Sequence, residues 1–166
     1  MNIKEEIRRM CQEKNAVIMA HYYTDGEIQD MADFVGDSLA LAQKAATTNA
    51  DIIVMCGVHF MGETSKILCP DKKVLVPDLE ATCSLAESCP ADKFAEFVAE
   101  HPGHTVISYV NTTAATKAVT DIVVTSSNAR EIVESLPQDT PIIFGPDRNL
   151  GGYINSITGR NMLLWD

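Results

Sequence analysis

Side chains able to do chemistry gather just beyond the short apolar runs of this sequence. His21, Tyr22 and Tyr23 follow the run 17–20, and Cys56, Gly57 and His59 close or follow 51–56. Asp78, Glu80 and Cys83 come after 74–76, and Tyr109 and Asn111 stand at the end of 105–110. Ser126 and Ser127 follow 121–125, and Gly145, Pro146 and Asp147 follow 141–144. An imidazole such as His21 can hydrogen-bond a carboxylate or a phosphate. The phenols of Tyr23 and Tyr109 can donate or accept protons, and the Asn111 amide can hold a carboxylate or a carbonyl. Ser38 and Ser126 fall where helices are expected to begin, and backbone N–H groups and the helix dipole favour an anion there. Each has a plainer reading beside the functional one: a core histidine, a packed phenol, a turn asparagine, a capping serine.

These positions become one edge if the runs are parallel strands. The spacing predicts helices over 2–13, 60–68, 91–100, 112–119 and 128–136, and one or two helices across 28–46. Asn128 with Glu131 three residues on reads as a capping box, and the tail 162–166 reads as the start of another strand. Helix and strand alternate through 1–85 and again through 86–166, which predicts two similar three-layer α/β/α domains with short parallel sheets. Ligands in such sheets bind beyond the carboxyl ends of the strands.

Composition excludes several classes. Hydrophobic residues make up 46% and charged residues 22%, so a packed core rather than disorder is expected. No apolar run approaches the ~18 residues of a membrane span. Lys and Arg number 13 against 23 Asp and Glu, a net charge of −10, which disfavours nucleic acid as a partner. The acid-containing N-terminus has no secretory h-region, so a cytoplasmic protein is expected. None of the five cysteines forms a C-x-x-C pair, and in a reducing compartment such thiols are buried or ligate metal.

Single motifs carry little. Gly57-Val-His-Phe-Met-Gly62 has the glycine spacing of a phosphate loop, but Glu63-Thr64 follows where lysine is required. Gly36-Asp-Ser-Leu39 spells the GDSL hydrolase motif, and Ser38 as an esterase nucleophile is one alternative function. That chemistry needs a histidine base oriented by an acid, and no histidine here has Asp three residues before it. A module that only binds a small dicarboxylate is the other alternative.

The ordered combination says more. His21-Tyr22-Tyr23, then the stretch from Ile28 to Leu39, then Cys56-Gly-Val-His-Phe-Met-Gly-Glu-Thr-Ser-Lys66 and Glu80-Ala-Thr-Cys-Ser-Leu85 come first. Tyr109-Val-Asn111, Thr125-Ser-Ser-Asn-Ala129 and Phe144-Gly-Pro-Asp-Arg-Asn-Leu-Gly151 follow in register. Together they resemble the quinolinate synthases across essentially the whole chain. Thr24-Asp-Gly26 departs from the residues usual at that place in the family.

The resemblance implies an enzyme of NAD biosynthesis that condenses iminoaspartate with dihydroxyacetone phosphate, losing phosphate and water to give quinolinate. It implies a [4Fe–4S] cluster held by three cysteines, one from each of three α/β domains about a pseudo-threefold axis. An iron left open that way can act as a Lewis acid. Cys83 matches the family's first ligand, with Cys89 as the competing candidate; Cys11, Cys56 and Cys69 read as core or helix-end thiols. His21, Tyr23, Ser38, Tyr109, Asn111 and Ser126 carry over as substrate-site residues, with catalytic weight on Tyr23 and Tyr109 and His21 in support. An enzyme that oxidises L-aspartate to iminoaspartate is implied as a partner. Two domains of three are expected here, the second incomplete, and a chain that alone neither holds a three-cysteine cluster nor turns over.

Overall fold

The computed structural model describes residues 2–166. Asn2 starts the first helix by reciprocal capping: its Oδ1 accepts the Lys4 N–H, and Glu5 accepts the Asn2 N–H, each at 3.2 Å. The chain divides into two units, Met1–Thr82 and Cys83–Asp166. The sequence reading set the junction after residue 85; here Cys83 opens the second unit.

The first unit runs α1 (Ile3–Glu13), β1 (Ala16–His21), α2 (Gly26–Met31), β2 (Phe34–Gly36), α3 (Ser38–Thr47), β3 (Ile52–Cys56), α4 (His59–Leu68) and β4 (Lys73–Leu75). Its four strands are parallel in the order β2-β1-β3-β4. The second unit runs α5 (Ser84–Glu87), α6 (Ala91–Glu100), β5 (Thr105–Tyr109), α7 (Ala114–Lys117), β6 (Ile122–Val124), α8 (Ala129–Ser135), β7 (Ile142–Gly145), α9 (Arg148–Thr158) and β8 (Leu163–Leu164). Its sheet, also parallel, has the order β6-β5-β7-β8. The two units thus share one topology, as expected for two α/β domains.

Right-handed crossovers then fix where the helices lie. In the first unit α2 falls on one face and α3 and α4 on the other, where they pack together. In the second, α8 and α9 share a face, and α6 packs with α7. Successive residues of a strand point to opposite faces, and the second unit's cores obey this. Ile107, Ile142 and Phe144 join Val124, Val133 and Ile154 in one cluster. Val106 and Ile143 join Cys89 and Phe94 in another, against which Phe97 and Trp165 pack. Trp165 meets both phenylalanines edge-on, with centroids 5.4 Å apart in each case, and its indole N–H donates to the Ser88 carbonyl at 3.0 Å.

The likeness of the units reaches single residues. Ahead of β2, Asp33 accepts the Ile18 N–H at 2.8 Å through its carboxylate and returns its own N–H to the Ile18 carbonyl at 2.8 Å. Ahead of β6, Asp121 does the same with Val106, at 2.8 and 2.9 Å. Each aspartate ties an edge strand to the central strand.

Two local expectations are corrected and one open choice is decided. The stretch 28–46 is two helices with the strand β2 between them. Of Asp37 and Ser38, either of which could cap α3, Asp37 does so, accepting the Ala40 N–H at 2.8 Å. Asn128 does not form a capping box, because its Oδ1 accepts the Thr125 N–H at 2.7 Å and so turns away from the helix.

Candidate functional site

In a parallel sheet of this order the chain departs in opposite directions from the two central strands, and ligands bind at that point beyond the carboxyl ends. In the first unit the place is the end of β1 and β3, where Ala20 pairs with Cys56 and His21 with Gly36. In the second it is the end of β5 and β7, where Ser108 pairs with Gly145 and Tyr109 with Val124.

His21 is the last residue of β1 and is only 8% exposed. The Tyr23 N–H donates to its Nδ1 at 3.2 Å. In the neutral ring the proton therefore sits on Nε2, which is left as a donor. Burial pushes the imidazole pKa below its ordinary value, and the nearby Asp37 carboxylate pulls the other way. Beside it β3 gives way to Gly57, where a side-chain carbon would come within 2.8 Å of the Met61 sulfur and 3.6 Å of the His21 Cβ. Glycine lets this turn approach the histidine. The half-buried Cys56 thiol is raised by burial, which suits a neutral packing group.

Tyr23 is 93% exposed, its ring tilted against the His21 imidazole at 4.7 Å between centroids. Its hydroxyl is thus offered outward from the sheet edge. Ser38 is the first residue of α3, a ten-residue helix, and lies in the turn where unsatisfied N–H groups face outward.

In the second unit Tyr109 ends β5 and is half-buried, while the Thr112 hydroxyl donates to its carbonyl at 3.0 Å. The Asn111 amide donates through Nδ2 to the Cys83 sulfur at 3.6 Å. Ser126 is exposed in the turn between β6 and α8, and the helix begins only at Ala129 rather than at the serine.

The six residues fall into pairs of equal standing. His21 and Tyr109 end the central strands, Tyr23 and Asn111 lie two residues beyond, and Ser38 and Ser126 lie two residues past the edge strands. Each pair is separated by the same length of chain, a signal present in the sequence that the element pattern alone did not bring out. The meeting of Asn111 with Cys83 had no such signal.

Of the two cysteines considered as cluster ligands, Cys89 is buried in the second core, and burial pushes its thiol up to about 11. Cys83 is half-buried and receives an N–H, the kind of contact that suits a thiolate. Among the described residues no three His, Cys, Asp or Glu side chains converge as a metal site. Among them, too, no helix is long and apolar enough to cross a membrane.

The family model described as "Quinolinate synthetase A protein" matches residues 5–166. A quinolinate synthase of Thermosynechococcus vestitus is 60% identical over 166 residues, covering 100% of this chain and 52% of its own length. Those of Prochlorococcus marinus (strain MIT 9313) and a Cyanothece species are 59% and 64% identical, covering 98% and 96% of this chain and 49% of their own lengths. The chain spans about half the length of the curated relatives it matches. These matches give no support to an esterase centred on Ser38 or to a binding module without catalysis. Matched along nearly its whole length, the chain belongs to the quinolinate synthetase A protein family.

Proposed function

We propose that the chain serves in quinolinate synthesis, the condensation of iminoaspartate with dihydroxyacetone phosphate that supplies NAD biosynthesis. The observation that carries this is the placement of His21, Tyr23, Ser38, Tyr109, Asn111 and Ser126 at the carboxyl edges of two like sheets in a chain of this family. These six bind and orient the substrates. His21, neutral and protonated on Nε2, donates to a carboxylate or carbonyl oxygen without bringing a charge. Tyr23 and Tyr109 move protons as the new bonds form. The start of α3 at Ser38 holds an anionic group through backbone N–H and hydroxyl. Asn111 and Ser126 complete the hydrogen bonds to substrate.

Cys83 is the residue that fits a [4Fe–4S] cluster, and the Asn111 N–H supports its thiolate. When bound, such a cluster supplies a Lewis-acidic iron that favours loss of oxygen as water. Its other ligands belong to the part of the relatives' length that this chain does not span. The reaction is placed in the cytoplasm, beside an enzyme that oxidises L-aspartate to iminoaspartate.

The test is an anaerobic assay of the complete enzyme carrying these residues, with iron per chain and quinolinate measured together. Tyr23→Phe and Tyr109→Phe should abolish most turnover while substrate binding partly survives. The 166-residue polypeptide by itself should form no quinolinate; anaerobic turnover by a polypeptide of verified 18.1 kDa mass would overturn that expectation.

A further inference from the structure

Two loops that leave the central strands are held by the same device built from different side chains. In the first unit the Thr24 hydroxyl donates to the His21 carbonyl at 2.9 Å, and Gln29 Nε2 donates to the carbonyls of Tyr22 at 3.0 Å and Thr24 at 2.7 Å. In the second the Thr112 hydroxyl donates to the Tyr109 carbonyl at 3.0 Å, and Lys117 Nζ donates to the carbonyls of Val110, at 2.9 Å, and Thr112. Lys117 also reaches the Thr112 hydroxyl at 3.2 Å. Gln29 and Lys117 are separated by the same length of chain as His21 and Tyr109. Both lie on the short helix that follows the loop, α2 and α7.

An amide and an ammonium have little in common beyond N–H donors on a side chain long enough to meet two carbonyls. Their use at equivalent places points to the bridge itself as the purpose. The residue between the two bridged carbonyls is Tyr23 in one unit and Asn111 in the other. With both carbonyls tied to one nitrogen, the peptide plane before that residue is coupled to the plane after its successor, which restrains the backbone between them and so the direction in which the side chain leaves.

We propose that Gln29 and Lys117 are positioning residues, each fixing the loop from which a substrate-site side chain, Tyr23 or Asn111, projects. The role of those two side chains rests on the function proposed above; the bridge does not.

The experiment uses Lys117→Met and Gln29→Leu, which remove the donors, and Lys117→Gln and Gln29→Lys, which borrow the donor of the other unit. Amide hydrogen exchange on the 166-residue chain reads the loops directly. The donor-less variants should speed exchange at 22–24 or 110–112 by about tenfold with β1, β3, β5 and β7 unchanged, and the borrowed donors should restore it. In the complete enzyme, kcat/KM per folded, iron-loaded molecule should fall by about tenfold to a hundredfold for the donor-less variants. Lys117→Gln and Gln29→Lys should recover most of it. Unchanged loop exchange in the donor-less variants, or no advantage of Lys117→Gln over Lys117→Met, overturns the proposal. So does faster exchange with unchanged kcat/KM, which would make the bridge a matter of stability alone. If Lys117→Met does not fold, the Gln29 pair decides by the same readings. If the unaltered complete enzyme makes no quinolinate, the functional reading fails while the exchange measurements still decide the bridge.

Discussion

A histidine whose Nδ1 already accepts a backbone N–H has a single proton to offer in its neutral state, and burial keeps His21 in that state. The folded chain therefore takes up a proton at His21 less readily than the unfolded chain. The stability linked to this group is complete above the ordinary histidine pKa of about 6.5 and is lost as pH falls below it. In an NMR titration His21 should have its midpoint below 6.5 with Nε2 protonated above it; a midpoint at or above 6.5 contradicts the burial argument. His21→Gln should flatten the acid-side fall of the urea midpoint between about pH 6.5 and 5. Tyr23 makes the opposite case. At 93% exposure its hydroxyl contributes little to the fold, so Tyr23→Phe should change unfolding free energy by less than about 0.5 kcal/mol while activity falls. His21, Tyr23, Tyr109, Asn111 and Ser126 stood out in the sequence as chemical types beyond apolar runs, whereas Ser38 followed none, and all six were proposed as site residues through the family resemblance. Gln29 and Lys117 were not legible there, since a polar residue on a short helix reads as solvated surface until the carbonyls it meets are placed.

At the scale of elements, the long apolar runs declared the strands, and their ends were found to within a residue or two. The misses have physical causes. The three residues of β2 are too few to show alternation, and they lie among Ala, Leu and Met that suggest helix. The helix α9 holds Gly151 and Gly152, poor helix formers. Gly151 is there because a side-chain carbon would come within 2.9 Å of the fully buried Phe144 ring and 2.6 Å of Leu164, a packing demand that propensity does not reveal. The aspartates before β2 and β6 were likewise unremarkable as letters. Each satisfies a strand N–H that the short edge strand leaves open. Asp33→Ala and Asp121→Ala should each destabilise the chain by about 1–3 kcal/mol, the cost of an orphaned partly buried donor. Urea unfolding of the two variants checks this, and a loss below about 0.5 kcal/mol would mean that water replaces the carboxylate.

At the scale of the whole molecule, each unit has its own four-stranded sheet and its own buried side chains. The division into two was legible from the repeated order of helices and strands; the finer repetition was not, since it resides in hydrogen bonds rather than in letters. Residues 83–166 carry two core clusters of their own. Expressed alone, they should retain helical circular dichroism and unfold cooperatively in urea; a broad, non-cooperative loss of signal would count against this. The one tryptophan of the chain has an optical consequence. Trp165 lies in the second unit, ringed by Phe94 and Phe97 and tied to Ser88. The fluorescence of the chain excited at the red edge of protein absorption is therefore a report from that unit. The first unit holds no indole, so events confined to it are read through tyrosine light or an added dye.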